Sequence, residues 1–139
     1  MKEGDQIGYR YEIKKQDTPK NNPKDDSQSK SQNKIEIGKG AFGSVIKCYD
    51  HKTQTEVAIK MVKNQKKYYY QAAVEAKLLL LLKENDTENV ERVVKLIDYF
   101  VWRNHLCLVF DLYSINLYEF IKEYDYQGFK DDLIRRFAI

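Results

Sequence analysis

Three glycines in the first third of the chain are spaced as in loops that bind phosphate groups. The loop reads Gly38-Lys39-Gly40-Ala41-Phe42-Gly43-Ser44-Val45, and a second apolar run, Val57-Ala58-Ile59-Lys60, ends in a lysine. Glycine has no Cβ atom, so the backbone can approach a polyphosphate closely, and a lysine on a neighbouring strand can then reach the phosphates. These residues therefore predict a clamp for a nucleotide.

The segments on either side of the glycines distinguish between the known kinds of nucleotide-binding loop. The flanking segments, Lys34 to Ile37 and Val45 to Tyr49, are patterned as strands, and no helix begins at Gly43. A dinucleotide-binding loop opens a helix, and a Walker loop needs Gly-Lys-Ser or Gly-Lys-Thr, which the sequence lacks. A flexible hairpin tip without a ligand stays open as the alternative for the glycines taken alone.

A helix is predicted from Tyr68 to Glu84, because this stretch has no Gly or Pro and is rich in Ala, Leu, Lys and Glu. Glu75 shares one helix face with Leu78, Leu79 and Leu82. Its carboxylate should therefore project from a buried apolar stripe, where it needs a cation that no helical neighbour supplies. We expect an ion pair with Lys60, the alternative being that Glu75 lies at the edge of the stripe and reaches water.

Together these features resemble the small lobe of a eukaryotic protein kinase, with its glycine-rich loop, strand lysine and helix glutamate. Further stretches are similar to the dual-specificity tyrosine-regulated kinase (DYRK) family. They are Gly4 to Ile7, Tyr9 to Ile13, Gln71 to Glu75, Trp102 to Phe110 and Asn116 to Tyr118. The resemblance covers nearly the whole chain except Lys14 to Lys34.

The resemblance implies an ATP site, with the phosphates held by the loop and by Lys60. Gly38, Gly40 and Gly43 would cover the triphosphate, in a loop that also includes Lys39, Ala41, Phe42 and Ser44. Lys60 would bind the α- and β-phosphates, and Glu75 would orient Lys60.

The resemblance also implies which residues hold the base and the sugar. Ile37, Val45 and Ala58 would pack on the adenine, Phe110 falls at the gatekeeper position, Asp111, Leu112 and Tyr113 form the hinge, and Asn116 falls near the ribose. Two residues depart from the family, which usually has Glu at the position of Asp111 and Leu at that of Tyr113. Backbone contacts to adenine stay possible with either change.

Phosphoryl transfer needs further groups that this sequence lacks. The resemblance implies Mg²⁺ in the full-length family, but the chain has no His-Arg-Asp or Asp-Phe-Gly motif, so we expect no magnesium ligand here. The chain stops at Ile139 in an apolar, helix-patterned segment where a second lobe should begin. We therefore expect a truncated kinase lobe that is inactive alone.

Three interpretations of function stay open. The favoured one is the ATP-binding lobe of a DYRK-like serine/threonine (dual-specificity) kinase. The second is a non-catalytic nucleotide sensor or decoy, and the third is a nonfunctional gene product. The sequence past Ile139 would decide between the first and the others, since the missing motifs should follow there if the chain is a fragment.

The predicted fold class is α+β: a five-stranded antiparallel sheet with one helix, followed by the start of a helical second lobe. Residues 1–13 would lead into the sheet and form part of the first strand, and residues 14–34 would be a disordered insertion splitting that strand, or a retained intron. Residues 14–34 contain two prolines and no large apolar side chain. Residues 35–113 would form the small lobe and hinge, and residues 114–139 the first helices of the second lobe. Arg103-Asn104 predicts a two-residue hairpin turn, and Asn116 with Glu119 three residues later resembles a capping box for a short helix.

The composition limits the partners. With 139 residues, 42% of them hydrophobic, and a net charge of +3, the chain suits one small core and gives no argument for nucleic acid. The apolar run Leu78 to Leu82 is too short to cross a membrane. Cys48 and Cys107 make no disulfide framework, which favours a reducing compartment, the cytoplasm or nucleus. The expected partners are ATP and, by resemblance, protein substrates.

Overall fold

The structure is a computed structural model that describes residues 1–15, 35–86, 93–114 and 116–138. Within those ranges it has seven strands and three helices: β1 (Gln6–Ile7), β2 (Tyr11–Ile13), β3 (Glu36–Lys39), β4 (Gly43–Asp50), β5 (Thr55–Val62), α1 (Lys66–Asn85), β6 (Leu96–Trp102), β7 (His105–Asp111), α2 (Leu117–Glu123) and α3 (Asp131–Ala138). The predicted α+β fold is confirmed. Most of the predicted insertion, residues 16–34, lies outside the described residues.

The described strands form one antiparallel sheet in the order β1-β2-β4-β5-β7-β6, with β3 also paired to β4. β2 pairs with the end of β4, from Tyr11 opposite Asp50, whereas β3 pairs with its beginning, from Lys39 opposite Ser44. Because β5 occupies the other side of β4, β2 and β3 lie end to end along one side. The five predicted strands are thus present, the first as two segments, and the two-residue β1 is added.

The sheet has an apolar core on each face, because successive side chains of a strand point to opposite faces. One core includes Ile7, Tyr11, Ile13, Ile46, Cys48, Val57, Ile59, Met61, Cys107 and Val109. The second lies between the sheet and α1 and includes Val62, Ala72, Ala76, Leu96, Leu106 and Leu108. Helix α1 is therefore held against the face that carries the even-numbered residues of β5.

The prediction of which face of α1 is buried was only partly correct, because Leu79 packs against the second core but Leu78 and Leu82 are exposed. Leu78 and Leu82 are 56% and 44% exposed, and the buried residues of the helix are Ala72 and Ala76. The five consecutive leucines from Leu78 to Leu82 surround the helix, so their periodicity selects no face. The small alanine side chains let the helix axis approach the sheet, and this close approach determines the buried face.

The remaining connections are formed by short segments whose conformation depends on a few neighbouring residues. Arg103 and Asn104 form the predicted two-residue turn between β6 and β7, with φ angles of 49° and 64°. Asn116 caps α2, since its side-chain oxygen accepts a hydrogen bond of 2.8 Å from the backbone N–H of Glu119. Beyond it, aromatic rings of residues 120–137 pack on one another around Phe120.

Candidate functional site

Lys60 lies in the middle of the sheet, on the face covered by α1. It is paired across the strands with Val45 of β4 and Leu108 of β7. Lys60 follows Ala58 by two positions, and both side chains point to the same face of β5. The strand thus carries the lysine to the inner surface between the sheet and the helix, where apolar neighbours limit the directions that its side chain can take.

The predicted ion pair between Lys60 and Glu75 is present. The Lys60 Nζ atom donates to both carboxylate oxygens of Glu75, each at 2.7 Å. The side chains are 27% and 38% exposed, so the carboxylate is not as deeply buried as the predicted apolar stripe required. The pair joins β5 to α1 across 15 positions of sequence and fixes the direction of the ammonium group.

The glycine-rich loop forms the tip of the hairpin between β3 and β4. It is closed by a hydrogen bond of 2.9 Å from the Gly40 N–H to the Gly43 carbonyl. Lys63, immediately after β5, donates to the tip twice: its backbone N–H to the Phe42 carbonyl at 2.9 Å and its Nζ to the Ala41 carbonyl at 2.9 Å. These bonds hold the tip of the loop near the start of α1.

The three glycines of the loop differ in what their positions require. A Cβ atom on Gly43 would lie 2.1 Å from the Met61 carbonyl oxygen, so the pairing of β4 with β5 itself demands glycine there. A Cβ on Gly40 would meet nothing within 4 Å, and one on Gly38 would make ordinary contact with Val45. Neither glycine has a positive φ. The folded chain thus gives no reason for glycine at positions 38 and 40, whereas close approach of a ligand to the backbone would.

An open pocket lies between the loop tip and α1. Its lining consists of Phe42, Lys60, Val62, Tyr68, Gln71, Ala72 and Glu75. The ring centroids of Phe42 and Tyr68 are 5.7 Å apart in an edge-to-face arrangement at one side of it. The pocket therefore combines an ammonium group oriented by a carboxylate with an amide side chain and an aromatic wall.

The residues predicted to hold adenine lie on the same sheet, beside Lys60. Ala58 pairs directly with Phe110 and lies two positions along β5 from Lys60, which pairs with Val45. Ile37 lies at an irregularity of β3, between the residues that pair with Ile46 and Val45. The structure thus brings these four apolar residues into neighbouring positions, whereas their predicted contact with a base stays a prediction.

The predicted hinge follows the last central strand. Asp111 ends β7 and pairs with Val57, and the side chains of Asp111 and Tyr113 are exposed, Tyr113 by 65%. Leu112 is partly exposed. Asn116 already uses its side-chain oxygen as the cap of α2, so a contact with a ribose would have to come from its amide nitrogen.

The sequence analysis did not predict two residues that contact the tip of the glycine-rich loop. Tyr68 and Lys63 both contact the loop tip, yet neither was predicted to belong to the site. A signal for Tyr68 was available, because it precedes Glu75 by seven positions and so lies on the same helix face, two turns away. Lys63 had no such signal, since it lies in an irregular connection.

Other reactive side chains have structural surroundings. Cys48 and Cys107 are free and buried, and burial raises their thiol pKa values to about 12 and about 11. His105 places its Nδ1 atom 2.7 Å from the Val62 carbonyl oxygen, bridging the ends of two strands. The described ranges hold no group of three or more His, Cys, Asp or Glu side chains that could bind a metal. None of the helices described is long and apolar enough to span a bilayer.

Comparison with known proteins identifies the family. The protein kinase domain matches residues 31–138. Dual specificity tyrosine-phosphorylation-regulated kinase 2 of Drosophila melanogaster is 50% identical over 102 residues, which cover 73% of this chain and 14% of the relative. The kinase mbk-2 of Caenorhabditis elegans is 42% identical over 134 residues, covering 96% of this chain and 14% of the relative.

Human dual specificity tyrosine-phosphorylation-regulated kinase 4 is 39% identical over 135 residues, covering 97% of this chain and 22% of the relative. The chain thus spans between 14% and 22% of the length of these three relatives. The family match includes the glycine-rich loop, Lys60 and Glu75, whose geometry is that of a kinase small lobe. The chain belongs to the protein kinase family and is a small lobe of the DYRK type.

Proposed function

We propose that this chain binds ATP as the small lobe of a DYRK-like serine/threonine (dual-specificity) protein kinase. The observation that carries the proposal is the contact of Lys60 with both oxygens of Glu75 at 2.7 Å, next to the glycine-rich loop. A protein kinase needs this lysine–glutamate pair in place before it can hold the phosphates of ATP productively.

In this proposal the triphosphate is bound by the Lys60 ammonium group and by the backbone of the glycine-rich loop. The Lys60 ammonium group binds the α- and β-phosphates, and Glu75 keeps it from turning away. Gly38 and Gly40 let the loop backbone approach the phosphates, in agreement with the absence of a backbone clash at Gly38 and with the open space at Gly40. The bound ATP would supply the transferable phosphoryl group.

The adenine is proposed to lie beyond Lys60, towards β7. Ile37, Val45 and Ala58 would pack against its faces, and the backbone of residues 111–113 would supply hydrogen bonds. Ala58 is suited to this position because its methyl group leaves space, and it is already 9% exposed next to Phe110. The base would replace water at an apolar surface, which favours binding.

For the 139-residue chain itself we propose nucleotide binding without phosphoryl transfer. The sequence has no His-Arg-Asp or Asp-Phe-Gly motif, and the residues that hold Mg²⁺ in protein kinases belong to the segments that carry these motifs. Transfer of phosphate from ATP to protein hydroxyl groups is proposed for this lobe as part of a whole kinase, with protein substrates as partners.

The binding proposal is tested with a fluorescent ATP analogue and the 139-residue chain. Lys60→Met removes the phosphate-binding cation and should weaken binding about tenfold or more, since charge-assisted contacts are the strong ones. Glu75→Gln should weaken it less, because the lysine remains. Lys77→Met, an exposed lysine of the same helix, is the matched control. Equal affinities for Lys60→Met and the control would refute the proposed site.

The absence of transfer is tested separately. The purified chain is incubated with labelled ATP, Mg²⁺ and a generic protein substrate, and no label should enter the protein. Incorporation that Lys60→Met abolishes, after contaminating kinases have been removed, would show that the chain transfers phosphate by itself.

A further inference from the structure

We infer that Tyr68 is a positioning residue, which couples the closed position of the glycine-rich loop to the helix position that makes the Lys60–Glu75 pair. The inference rests on the proposed ATP site, and it adds a means of regulating that site. Its basis is the direct contact between the rings of Phe42, at the loop tip, and Tyr68, in the first turn of α1.

The contact has the geometry of a specific aromatic pair. The ring centroids are 5.7 Å apart and the ring planes meet at 86°, the edge-to-face arrangement that aromatic side chains prefer. Phe42 is 46% exposed, so little else fixes its ring, whereas Tyr68 is partly buried against the core beneath α1. The loop tip therefore depends on the helix for its position more than the helix depends on the loop.

Tyr68 and Glu75 lie on one face of α1, because seven residues are close to two helical turns. The pocket lining includes both of them, together with Phe42 and Lys60. A rotation or outward shift of the helix that separates Glu75 from Lys60 must also move Tyr68 away from Phe42. A change in the position of the helix therefore alters two contacts in the pocket, the ion pair and the ring contact.

Lys63 ties the same loop tip to the segment that leads into α1. It donates to the Ala41 and Phe42 carbonyls, each at 2.9 Å. Its own carbonyl accepts a bond of 2.7 Å from the N–H of Gln65, the N-cap residue of the helix. The loop tip is therefore bound by Lys63 at the start of the short β5–α1 connection and by the ring of Tyr68 just after it, so closure of the loop and seating of the helix form one arrangement.

Hydrogen exchange on the 139-residue chain without nucleotide tests the coupling directly. Phe42→Leu removes a ring that is largely outside the core, so the fold is kept. We expect faster exchange at the loop and also in the α1 segment around Glu75, by about three- to tenfold, as the loss of one aromatic pair predicts. Faster exchange at the loop alone would overturn the inference.

Variants of the helix give the reciprocal experiment. Tyr68→Leu should accelerate exchange in the loop, and Tyr68→Phe, which keeps the ring, should restore the wild-type rate. Tyr70→Leu is the matched control, because Tyr70 is 68% exposed and its ring contacts Tyr69 rather than the loop. If Tyr70→Leu and Tyr68→Leu had the same effect on the loop, the contact with Phe42 would not be the cause.

The affinity for a fluorescent ATP analogue then shows what the coupling does. Phe42→Leu and Tyr68→Leu should each weaken binding about three- to tenfold through faster release, and the double variant should be no weaker than either. Additive effects would overturn the inference while leaving the ATP site intact. If the wild-type chain bound no analogue, the proposed function would fail, and the exchange experiments would still decide whether the coupling exists.

Discussion

The Arg10–Asp50 and Lys60–Glu75 ion pairs both join residues that are far apart in the sequence, and they differ in how many hydrogen bonds the carboxylate accepts. Asp50, at the end of β4, is completely buried and accepts from Arg10 Nε at 2.7 Å and Nη2 at 2.6 Å. It also accepts from the Lys52 N–H and the Thr53 hydroxyl, each at 2.9 Å. Glu75, in contrast, is 38% exposed, and within the described part of the chain its hydrogen-bond partner is Lys60.

The difference separates a structural ion pair from one that can serve a site. Every position around the Asp50 carboxylate is occupied, and Arg10 uses its remaining Nη1 on Asp98 at 2.9 Å. The network fixes the N-terminal strands to the sheet and leaves nothing to bind a ligand. The Lys60 ammonium group faces an open pocket, so it can exchange part of its contact with Glu75 for a phosphate.

The largest expected effect is on the folding free energy that depends on the Arg10–Asp50 pair. Asp50→Asn removes a charge that is buried opposite Arg10, and breaking such a pair by removing one partner costs about 3 kcal/mol of folding free energy. Urea unfolding of the wild-type chain and the variant measures the loss. Affinity for the ATP analogue, measured on the folded fraction, should stay unchanged. A loss of folding free energy below about 1 kcal/mol, the value typical of exposed pairs, would show that the Arg10–Asp50 pair stabilises the fold no more than an exposed pair does.

The second prediction concerns pH. The hydrogen bonds from Arg10 hold the pKa of Asp50 well below its usual range, in spite of its burial. A carboxylate with a lowered folded-state pKa contributes stability above its unfolded pKa of about 3.9, and this contribution is lost as the pH falls towards the folded value. The stability difference between the wild-type chain and Asp50→Asn should therefore shrink by about 2 kcal/mol between pH 6 and pH 2.5. A constant difference over that range would contradict the assigned pKa direction.

The smallest expected effect is on the pair at the site. Glu75→Gln should lower the free energy of unfolding by less than about 1 kcal/mol, because both side chains are partly exposed and screened by water. The remaining effect should decrease further in 1 M salt, where the screening length is about 3 Å. The same titration with salt should change the Asp50→Asn difference little. A Glu75→Gln loss as large as that of Asp50→Asn would make the lysine–glutamate pair a structural element.

Sequence patterns predicted the parts of the fold that depend on neighbouring residues. The Arg103–Asn104 turn, the Asn116 cap and the apolar run of β5 are local, and each is present. The Lys60–Glu75 pair was predicted because a charged residue in an apolar helix needs a partner from outside the helix. The pair is present, but the deep burial that motivated its prediction is not, since the Glu75 side chain is 38% exposed.

The missed features depend on distances that sequence spacing does not show. Arg10 and Asp50 are 40 residues apart, and Arg10 and Asp98 are 88 apart, with nothing in either segment that identifies the partner. The contact between Phe42 and Tyr68 depends on how far the loop bends towards the helix. The choice of Ala72 and Ala76 over the leucines depends on how closely the helix can approach the sheet.

The glycines of the loop have a consequence for how this protein tolerates sequence change. A side chain at Gly43 would collide with the backbone of β5 at 2.1 Å, so any substitution there should reduce the amount of folded protein in a cell. A side chain at Gly40 meets nothing within 4 Å, so substitution there should leave cellular abundance unaltered. A mutational scan that scores abundance alone would therefore rank position 40 as dispensable, and the positions that such a scan finds permissive would include those reserved for the ligand.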